Sequence, residues 1–205
     1  MEHKYSAERR QHIYDAAIRL FKEKGYRNTK ISDICEAAQV PVGSIYHYYK
    51  NKDSFLLEYA KTLGTKGHQI LDDSDLSADP VEILSEYYIY KSSILDEAGY
   101  ILCRDINDRF NNIWMSNYEY NEYSGVRCLT PFLRKRIDAG QFKISYSAEE
   151  AAWLMQALFQ GCVSYWLQIE GTIKLQNILR RNGFFQSSEL KKSWSPTKRR
   201  TPRVI

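Results

Sequence analysis

The chain has 205 residues, of which 43% are hydrophobic and 26% are charged. This composition is typical of a globular protein and argues against a disordered chain. The sequence has no apolar run of about 18 residues, and no apolar stretch follows the charges of the N-terminus, so neither a membrane span nor a secretory signal is expected. We therefore expect a cytoplasmic protein without a membrane partner.

The residue types that commonly carry catalysis or bind metals are scattered. The histidines show no ligand spacing and the cysteines form no CxxC pair, which indicates free thiols in a cytosolic chain. The phosphate-binding, dinucleotide-binding, nucleophile-elbow and zinc-protease motifs are all missing. The sequence therefore predicts no catalytic residue, no metal ligand and no cofactor. The cysteines are Cys35, Cys103, Cys128 and Cys162.

Charge is distributed unevenly along the chain. Residues 1–52 carry ten Lys or Arg against six Asp or Glu, and residues 191–205 carry six Lys or Arg and no acidic residue. Because the net charge of the whole chain is only +4, the segment between them is acidic. This pattern indicates either a polyanionic partner for one or both ends or ordinary solvated charges.

Apolar residues recur with a period of about 3.6 in the N-terminal quarter and predict short helices. The first helix runs from about Ser6 to Lys24 and ends at Gly25, a residue suited to the left-handed position after a helix. Thr29 is predicted to be the N-cap of the second helix. The pattern breaks at residues 39–41, which indicates a turn.

A third helix is predicted at Val42–Tyr48, with Ile45 and Tyr49 facing the core because residues four apart share a helix face. Asn51 is predicted to cap a fourth helix that begins near Lys52 and runs towards residue 71. Three short helices with a tight turn between the second and third form a helix-turn-helix unit.

The second helix of such a unit lies in the major groove of DNA. Gly43 would let backbone N–H groups approach a phosphate, and Lys50 and Lys52 would supply positive charge. Tyrosine hydroxyls and histidine nitrogens can donate hydrogen bonds to phosphate oxygens. The alternative is that the aromatic residues only fill a core. The side chains expected to point outward are Ser44, Tyr46, His47 and Tyr48.

Residues 10–56 resemble the N-terminal domain of TetR-type (TetR/AcrR) transcriptional regulators. The resemblance implies a homodimer that binds a near-palindromic operator in double-stranded DNA, and a C-terminal domain with a pocket for a small-molecule ligand. The motifs that carry it occur in order and without gaps: Ala16-Ala17, Leu20-Phe21, Gly25-Tyr26, Thr29, Asp33-Ile34, Gly43, Tyr46 and Lys52. The residues that it implies touch DNA are Thr29, Lys30, Gly43, Ser44, Tyr46, His47, Tyr48 and Lys52.

Two positions depart from the pattern of that family. Gln39 stands where the turn usually has glycine, so a left-handed backbone at this residue would be strained. Pro41 stands where a serine usually caps the third helix. Proline offers neither a capping side chain nor a hydroxyl for a phosphate, so this contact is not expected.

The remainder of the chain is also predicted to be helical, so the expected fold class is all-α. Helices are predicted at about residues 80–97, with Asp79 as a cap, then at 100–110 and 114–139. Pro131 is expected to kink or split the last of these.

A capping box at Ser147 precedes the longest apolar pattern, which extends to Gly171. A final helix is predicted at residues 172–181, with a further turn near 188–192. The expected organisation is a DNA-binding domain at residues 1–52, joined by the fourth helix to a ligand-binding and dimerisation domain at 53–190, and a basic, disordered tail at 191–205.

The helix that follows Ser147 is too apolar for the surface of a monomer. We interpret it as one half of a four-helix dimer interface, with a buried monomer core helix as the alternative. A symmetric dimer would hold two recognition helices about 34–36 Å apart, one turn of DNA. The predicted interface residues are Leu154, Ala157, Leu158, Gly161, Tyr165 and Ile169.

The central helices mix aromatic walls with a few polar groups, as ligand sites do. Each of these residues could equally be plain core or surface, and Lys91 and Asp105 could pair with each other or with a charged ligand. The predicted ligand-binding residues are Tyr87, Tyr90, Lys91, Cys103, Asp105, Phe110, Trp114, Tyr118, Trp153, Gln156 and Gln160.

The sequence thus predicts a DNA-binding transcriptional regulator, a repressor that a small-molecule effector releases from its operator. An activator of the same fold, an effector-independent architectural DNA-binding protein and an adaptor that binds another protein are the alternatives. For the basic tail, added phosphate affinity and a solubilising role both stay open.

Overall fold

The computed structural model describes residues 2–65, 67–116, 125–142 and 144–181, with the side chains of residues 2–4, 64–65 and 110–116 left undescribed. The described part of the chain is helical and has no strand, which confirms the predicted all-α fold class. None of its helices is long and apolar enough to cross a membrane. The helices are α1 Glu2–Lys24, α2 Ile31–Ala38, α3 Val42–Tyr48, α4 Lys52–Thr65, α5 His68–Asp72, α6 Pro80–Ala98, α7 Tyr100–Ser116, α8 Gly125–Asp138, α9 Ala148–Gln168 and α10 Leu175–Arg181.

The chain folds into two compact units. The described part of the first unit lies within Met1–Gly64 and Ile94–Tyr118, and that of the second within Thr65–Ser93 and Glu119–Ile205. The first unit therefore contains α7 in addition to the helix-turn-helix and α4. The three-part division by residue number stays a prediction, and the tail at residues 191–205 lies outside the described residues.

The core of the first unit is formed by the inner faces of α1 to α4 together with Leu102 of α7. Ile45 is fully buried and Tyr49 is 2% exposed, so the predicted inward face of the third helix is confirmed. The ring of Tyr49 stacks on that of Phe55, with 3.9 Å between ring centroids, which joins the end of α3 to α4.

The ends of the short helices agree with the sequence in two places and differ in a third. Gly25 adopts the left-handed conformation after α1 (φ +84°), and Gln39 adopts it after α2 (φ +52°), as predicted from its place in the turn. Thr29 is not the N-cap of α2; Lys30 is. The Thr29 hydroxyl donates to the carbonyl oxygen of Gly25 (2.8 Å), while the carboxylate of Asp33 accepts from the Lys30 amide (3.0 Å).

Asn51 caps α4 as predicted, because its side-chain oxygen accepts from the Ser54 amide at 3.1 Å. The helix does not continue to residue 71, however. It ends at Thr65, and Gly67, in a left-handed conformation (φ +92°), precedes the separate short helix α5.

The middle helices differ from the prediction mainly in length. Asp79 accepts from the Val81 amide at 2.7 Å and so caps α6 as expected. The next helix extends to Ser116 instead of ending near residue 110, and α8 begins at Gly125. Pro131 does not split α8, which continues through it to Asp138.

The capping box of α9 is confirmed. The Glu150 amide donates to the Ser147 hydroxyl (3.2 Å), and the Ser147 amide donates to the Glu150 carboxylate (2.8 Å). The helix ends at Gln168, slightly before the predicted end at Gly171, and α10 begins at Leu175. The turn predicted near residues 188–192 lies outside the described residues.

Arg136 organises the polar part of the second unit. Its side chain is fully buried, and its guanidinium donates to four oxygens within 3.1 Å, three of them from the segment between α5 and α6. This arginine therefore ties that segment to α8. The acceptors belong to Ser74, Asp75, Ala78 and Gln141.

Candidate nucleic-acid interface

The orientation of α3 follows from its two buried residues. With Ile45 and Tyr49 held in the core, the remaining faces of this seven-residue helix point outward. Tyr46 is 56% exposed, and His47 is exposed beside it. The alternative that these two rings only fill the core is therefore incorrect.

The start of α3 leaves its backbone open to an approaching group. Pro41 occupies the N-cap without a side-chain hydrogen bond, as expected for proline. Gly43 is exposed, and a Cβ atom added to it would meet no atom within 4 Å. A phosphate could thus come close to the first amides of the helix without a steric barrier from the protein.

The N-terminal half of α1 lies next to α3. The Arg9 guanidinium donates to the Ser44 hydroxyl at 3.3 Å, and the hydroxyls of Ser6 and Tyr48 are hydrogen-bonded at 3.3 Å. Ser44 and Tyr48 are accordingly half-buried, in contrast to Tyr46. Arg9 is an exposed cation at the edge of this surface that the sequence analysis missed.

Thr29 does not belong to the DNA-facing surface. Its side chain is 1% exposed, and its hydroxyl already donates to the Gly25 carbonyl. In this conformation the hydroxyl is not available to a phosphate, and a contact of this residue with DNA stays a prediction. The adjacent Lys30 is exposed and remains a candidate.

Lys52 stabilises the turn between α1 and α2, a role that its position in the sequence did not indicate. Its ammonium donates to the carbonyl oxygens of Tyr26 (2.7 Å) and Thr29 (2.8 Å) and lies 4.0 Å from the centroid of the Tyr26 ring. Burial lowers the pKa of this ammonium. The side chain thus fixes the turn between α1 and α2, whereas Lys50 is exposed.

A polar network continues from this turn to α7 within the first unit. The Arg109 guanidinium donates twice to the Asp53 carboxylate (3.1 and 2.6 Å), and the Tyr26 hydroxyl donates to the same carboxylate. The hydrogen bond from Arg109 lowers the pKa of Asp53, so this carboxyl is ionised near neutral pH. The Asp105 carboxylate accepts from the Tyr26 amide at 2.7 Å.

The predicted ligand-binding residues are divided between the two units. Cys103 and Asp105 belong to the first unit, where Asp105 holds Tyr26, so the carboxylate has a structural task there. The side chains of Phe110 and Trp114, and all of Tyr118, lie outside the described residues. The second unit contains Tyr87, Tyr90, Lys91, Trp153, Gln156 and Gln160.

Within the second unit the candidates differ in burial. Tyr87 and Lys91 are buried and Gln156 is partly buried, whereas Tyr90, Trp153 and Gln160 are exposed. Only the first three therefore face the interior of this unit. They lie on α6 and α9, and their contacts are considered below.

The predicted dimer surface is exposed in the single chain. Helix α9 buries one face against its own unit and leaves another apolar face exposed, where Leu154, Leu158 and Tyr165 are 48%, 55% and 50% exposed. Ala157 and Gly161 are exposed on the same face, and Ile169 is half-buried. The alternative of a helix buried within the monomer is therefore incorrect for this face.

Residues 13–59, which include α2 and α3, match the family model described as bacterial regulatory proteins, tetR family. The N-terminal segment of the chain is thus of the TetR type. The match confirms the resemblance found in the sequence, and it indicates a DNA-binding regulator of transcription.

Relatives of the chain extend the similarity beyond that segment. The HTH-type transcriptional regulator AcrR of Shigella flexneri is 25% identical over 177 residues, which cover 78% of this chain and 79% of AcrR. The HTH-type transcriptional repressor DhaR of Mycobacterium sp. (strain GP1) is 32% identical over 97 residues, 45% of this chain and 48% of DhaR. These relatives are named as regulators of transcription.

Solved structures show the same fold along most of the chain. The repressor FadR of Thermus thermophilus, in complex with lauroyl-CoA, has a TM-score of 0.62 at 20% identity, over 96% of this chain and 99% of FadR. SmeT, the repressor of the multidrug efflux pump SmeDEF of Stenotrophomonas maltophilia, has a TM-score of 0.64 at 22% identity, over 82% and 83%. At these identities the likeness concerns the fold.

Proposed function

We propose that the protein is a repressor that binds a near-palindromic operator as a homodimer and leaves it when a small molecule binds the second unit. The observation that carries the DNA-binding part is the exposed face of α3, where Gly43 leaves the backbone open and Tyr46 and His47 extend outward from a helix anchored by Ile45 and Tyr49. Such a helix fits the major groove.

The residues of this surface take different roles in the proposal. Backbone amides at Gly43 and the charges of Lys30 and Lys50 contact phosphates, which set affinity and register. Tyr46 and His47 approach base edges or sugars from the exposed face of α3.

Three further residues stand at the margins of the surface. Ser44 and Tyr48 contact the backbone of the DNA from positions held by α1, and Arg9 joins them as a phosphate contact. Lys52 contributes by holding the turn between α1 and α2, with at most its third N–H group left for a phosphate.

The exposed apolar face of α9 supports the proposal of a homodimer. Large apolar side chains on one face of a long helix mark an interaction surface, and small residues at Ala157 and Gly161 would let a second helix approach closely. A second copy of the chain is the occupant that a palindromic operator requires, because the two-fold symmetry of the protein matches that of the site.

Repression and release by a ligand are supported by the relatives rather than by a bound molecule. DhaR and SmeT are named as repressors, and the FadR structure contains lauroyl-CoA. A ligand lowers operator affinity only if it binds the DNA-incompetent state more tightly, and a coupling of about 1–3 kcal/mol is typical.

The test compares Tyr46→Ala with Tyr146→Ala. Both tyrosines are about equally exposed, at 56% and 54%, but Tyr146 lies in the second unit before α9. An operator is first selected from a random duplex library with the wild-type protein, and affinities are then measured by fluorescence anisotropy at fixed salt. We expect Tyr46→Ala to lose about 1–3 kcal/mol, or roughly 5- to 150-fold in affinity.

We expect Tyr146→Ala to bind like the wild type, and circular dichroism should show both variants to be folded. The proposal fails if the wild-type protein enriches no sequence over random competitor. Equal affinities of the two variants would show that α3 does not carry the DNA contacts.

A further inference from the structure

Three helices of the second unit bring polar groups together inside an otherwise apolar interior. We call Tyr87 and Lys91 of α6, Cys128 of α8 and Gln156 of α9 the polar cluster. Tyr87, Lys91 and Cys128 are each less than a tenth exposed, and Gln156 has a buried side-chain oxygen. A group of this kind in a helical interior requires an explanation, because polar atoms are costly to bury unless they have partners.

Lys91 is the member with the most unusual surroundings. It is 9% exposed, and its ammonium lies 5.4 Å from the centroid of the Tyr87 ring and 5.9 Å from that of Phe159. Among the residues that the structure describes, no carboxylate pairs with it. Burial lowers the pKa of this ammonium, and only the sulfur of Cys128 acts in the opposite direction.

Arg136 provides the comparison within the same unit. It is the other buried cation in the described part of the second unit, and it donates hydrogen bonds to four oxygens. Its charge is thus solvated by the protein itself. Lys91 differs from it, because no described residue accepts a hydrogen bond from its ammonium or supplies a carboxylate to it.

The neighbours of Lys91 are neutral hydrogen-bonding groups. The Tyr87 hydroxyl lies 3.2 Å from the sulfur of Cys128, which donates to the Gly125 carbonyl at 3.2 Å. Burial raises the pKa of both Tyr87 and Cys128, so neither supplies a negative charge near neutral pH.

Gly125 shows where these groups converge. A Cβ atom added to Gly125 would lie 2.0 Å from the side-chain oxygen of Gln156 and 3.5 Å from the Tyr87 hydroxyl. That Gln156 oxygen is buried and has no hydrogen-bond partner among the described residues, and the same holds for the indole nitrogen of Trp166, which is 2% exposed. The side-chain amide of Gln156 and the phenol of Tyr87 therefore meet beside Gly125 at the start of α8.

We propose that the polar cluster binds the carboxylate of a small organic acid, with the Lys91 ammonium as its counter-ion and hydrogen-bond donor. This proposal rests on the proposed function and identifies the chemical class of its effector. The apolar body of the acid would lie against Tyr88 and Phe159, two buried aromatic residues whose rings contact each other and the rings or ammonium of Tyr87 and Lys91.

The charge of the cluster decides between a carboxylate and a more highly charged ligand. One ammonium balances a single negative charge, whereas a phosphate ester or a nucleotide would bring further charges into an interior that offers no second uncompensated cation among its described residues. A monocarboxylate with an aromatic or aliphatic body fits this site best.

The test measures thermal unfolding without DNA, in the presence of matched pairs of probes. The pairs are octanoate with octanamide and benzoate with benzamide, and lauroyl-CoA is added as a separate probe. We expect at least one carboxylate to raise the melting temperature of the wild-type protein, with an apparent affinity at least about tenfold higher than that of its amide, because the amide lacks the charge that pairs with Lys91.

Lys91→Met keeps the length of the side chain and removes its charge. We expect this variant to lose the response to carboxylates while melting at or above the temperature of the unliganded wild type, since replacing an uncompensated buried charge by an apolar side chain relieves its desolvation. Lys135→Met, at an exposed lysine of α8, is the control and should respond like the wild type.

Several results would overturn the proposal. They are an unchanged carboxylate response in Lys91→Met, equal stabilisation by a carboxylate and its amide, stabilisation by lauroyl-CoA alone, and no stabilisation by any carboxylate. The comparison of carboxylate with amide needs no variant, so it decides even if Lys91→Met does not fold. A gel shift with the selected operator separates the two proposals, because carboxylate binding without operator binding would reject only the repressor.

Discussion

Gly161 allows the proposed dimer surface to be tested by a substitution that acts in opposite directions on the fold and on assembly. It lies in the interior of α9, and a Cβ atom added to it would meet no atom within 4 Å in the single chain. Glycine has no conformational purpose in such a position. In the proposed dimer, its purpose is to let a second helix approach.

The magnitudes follow from helix propensity and from packing. Gly161→Leu should stabilise the folded single chain by about 0.8 kcal/mol, because glycine is about that much less favourable than leucine inside a helix. In the dimer, the leucine side chain occupies the space of the opposing helix, and overpacking costs about 1–3 kcal/mol per copy. With two copies related by symmetry, the dimer should be weakened by about 2–6 kcal/mol, or roughly 30-fold to more than 10⁴-fold in its dissociation constant.

The dissociation constant is measured by sedimentation equilibrium over a range of protein concentrations. Stability is measured by urea unfolding at concentrations where both proteins are monomeric, because dimerisation otherwise contributes to the apparent stability. Gln160→Leu is the control. This residue is exposed on the same helix but points about 100° away from Gly161, so the added leucine should leave dimerisation unchanged.

A Gly161→Leu variant that dimerises as tightly as the wild type would refute the assignment of this face to the dimer. A variant that loses both dimerisation and monomer stability would refute the physical argument, since it would show that the position is packed within the chain itself.

Two further pairs of substitutions each compare a residue that stabilises the fold with an exposed residue of the same type. Lys52→Ala should lower the free energy of unfolding, measured in urea, by about 1–2 kcal/mol, because two backbone carbonyls lose their ammonium donor. Lys50→Ala should leave stability unchanged and reduce the salt dependence of operator binding by about one phosphate contact. Equal stability of the two variants would contradict these roles. Arg136→Met should lower the free energy of unfolding by at least about 2 kcal/mol, because four oxygens lose a buried donor. Arg134→Met, at an exposed arginine of the same helix, is the control. If Arg136→Met had the same melting temperature as this control, the structural role of Arg136 would be contradicted.

Much of the geometry of the proposed DNA-binding surface could be predicted because it depends on local spacing. Ile45 and Tyr49 are four residues apart, so both were expected on the inner face of α3, and that placement leaves Tyr46 and His47 outside. The caps at Asn51 and Ser147 are equally local, since each hydrogen bond joins residues three apart. Patterns of this kind do not depend on the rest of the fold.

The candidate ligand-binding residues were chosen by residue type and helix alone, and the structure divides them between the two units. Asp105 was expected with Lys91, but its carboxylate accepts from the amide of Tyr26, 79 residues earlier in the chain. Which of several similar polar residues meets which partner depends on how helices pack, and hydrophobic periodicity carries no such information.

The sequence by itself determined the all-α fold class, the TetR-type helix-turn-helix segment and the inner and outer faces of α3, because these follow from residues at most a few positions apart and from a motif without gaps. Only the tertiary structure placed Arg9 beside Ser44, 35 residues away, and turned Lys52 towards carbonyls 23 and 26 residues away. It also left Lys91 buried without a carboxylate among the described residues. The physical reason is that burial and hydrogen bonding of a polar side chain are decided by neighbours that the packing of separate helices brings together.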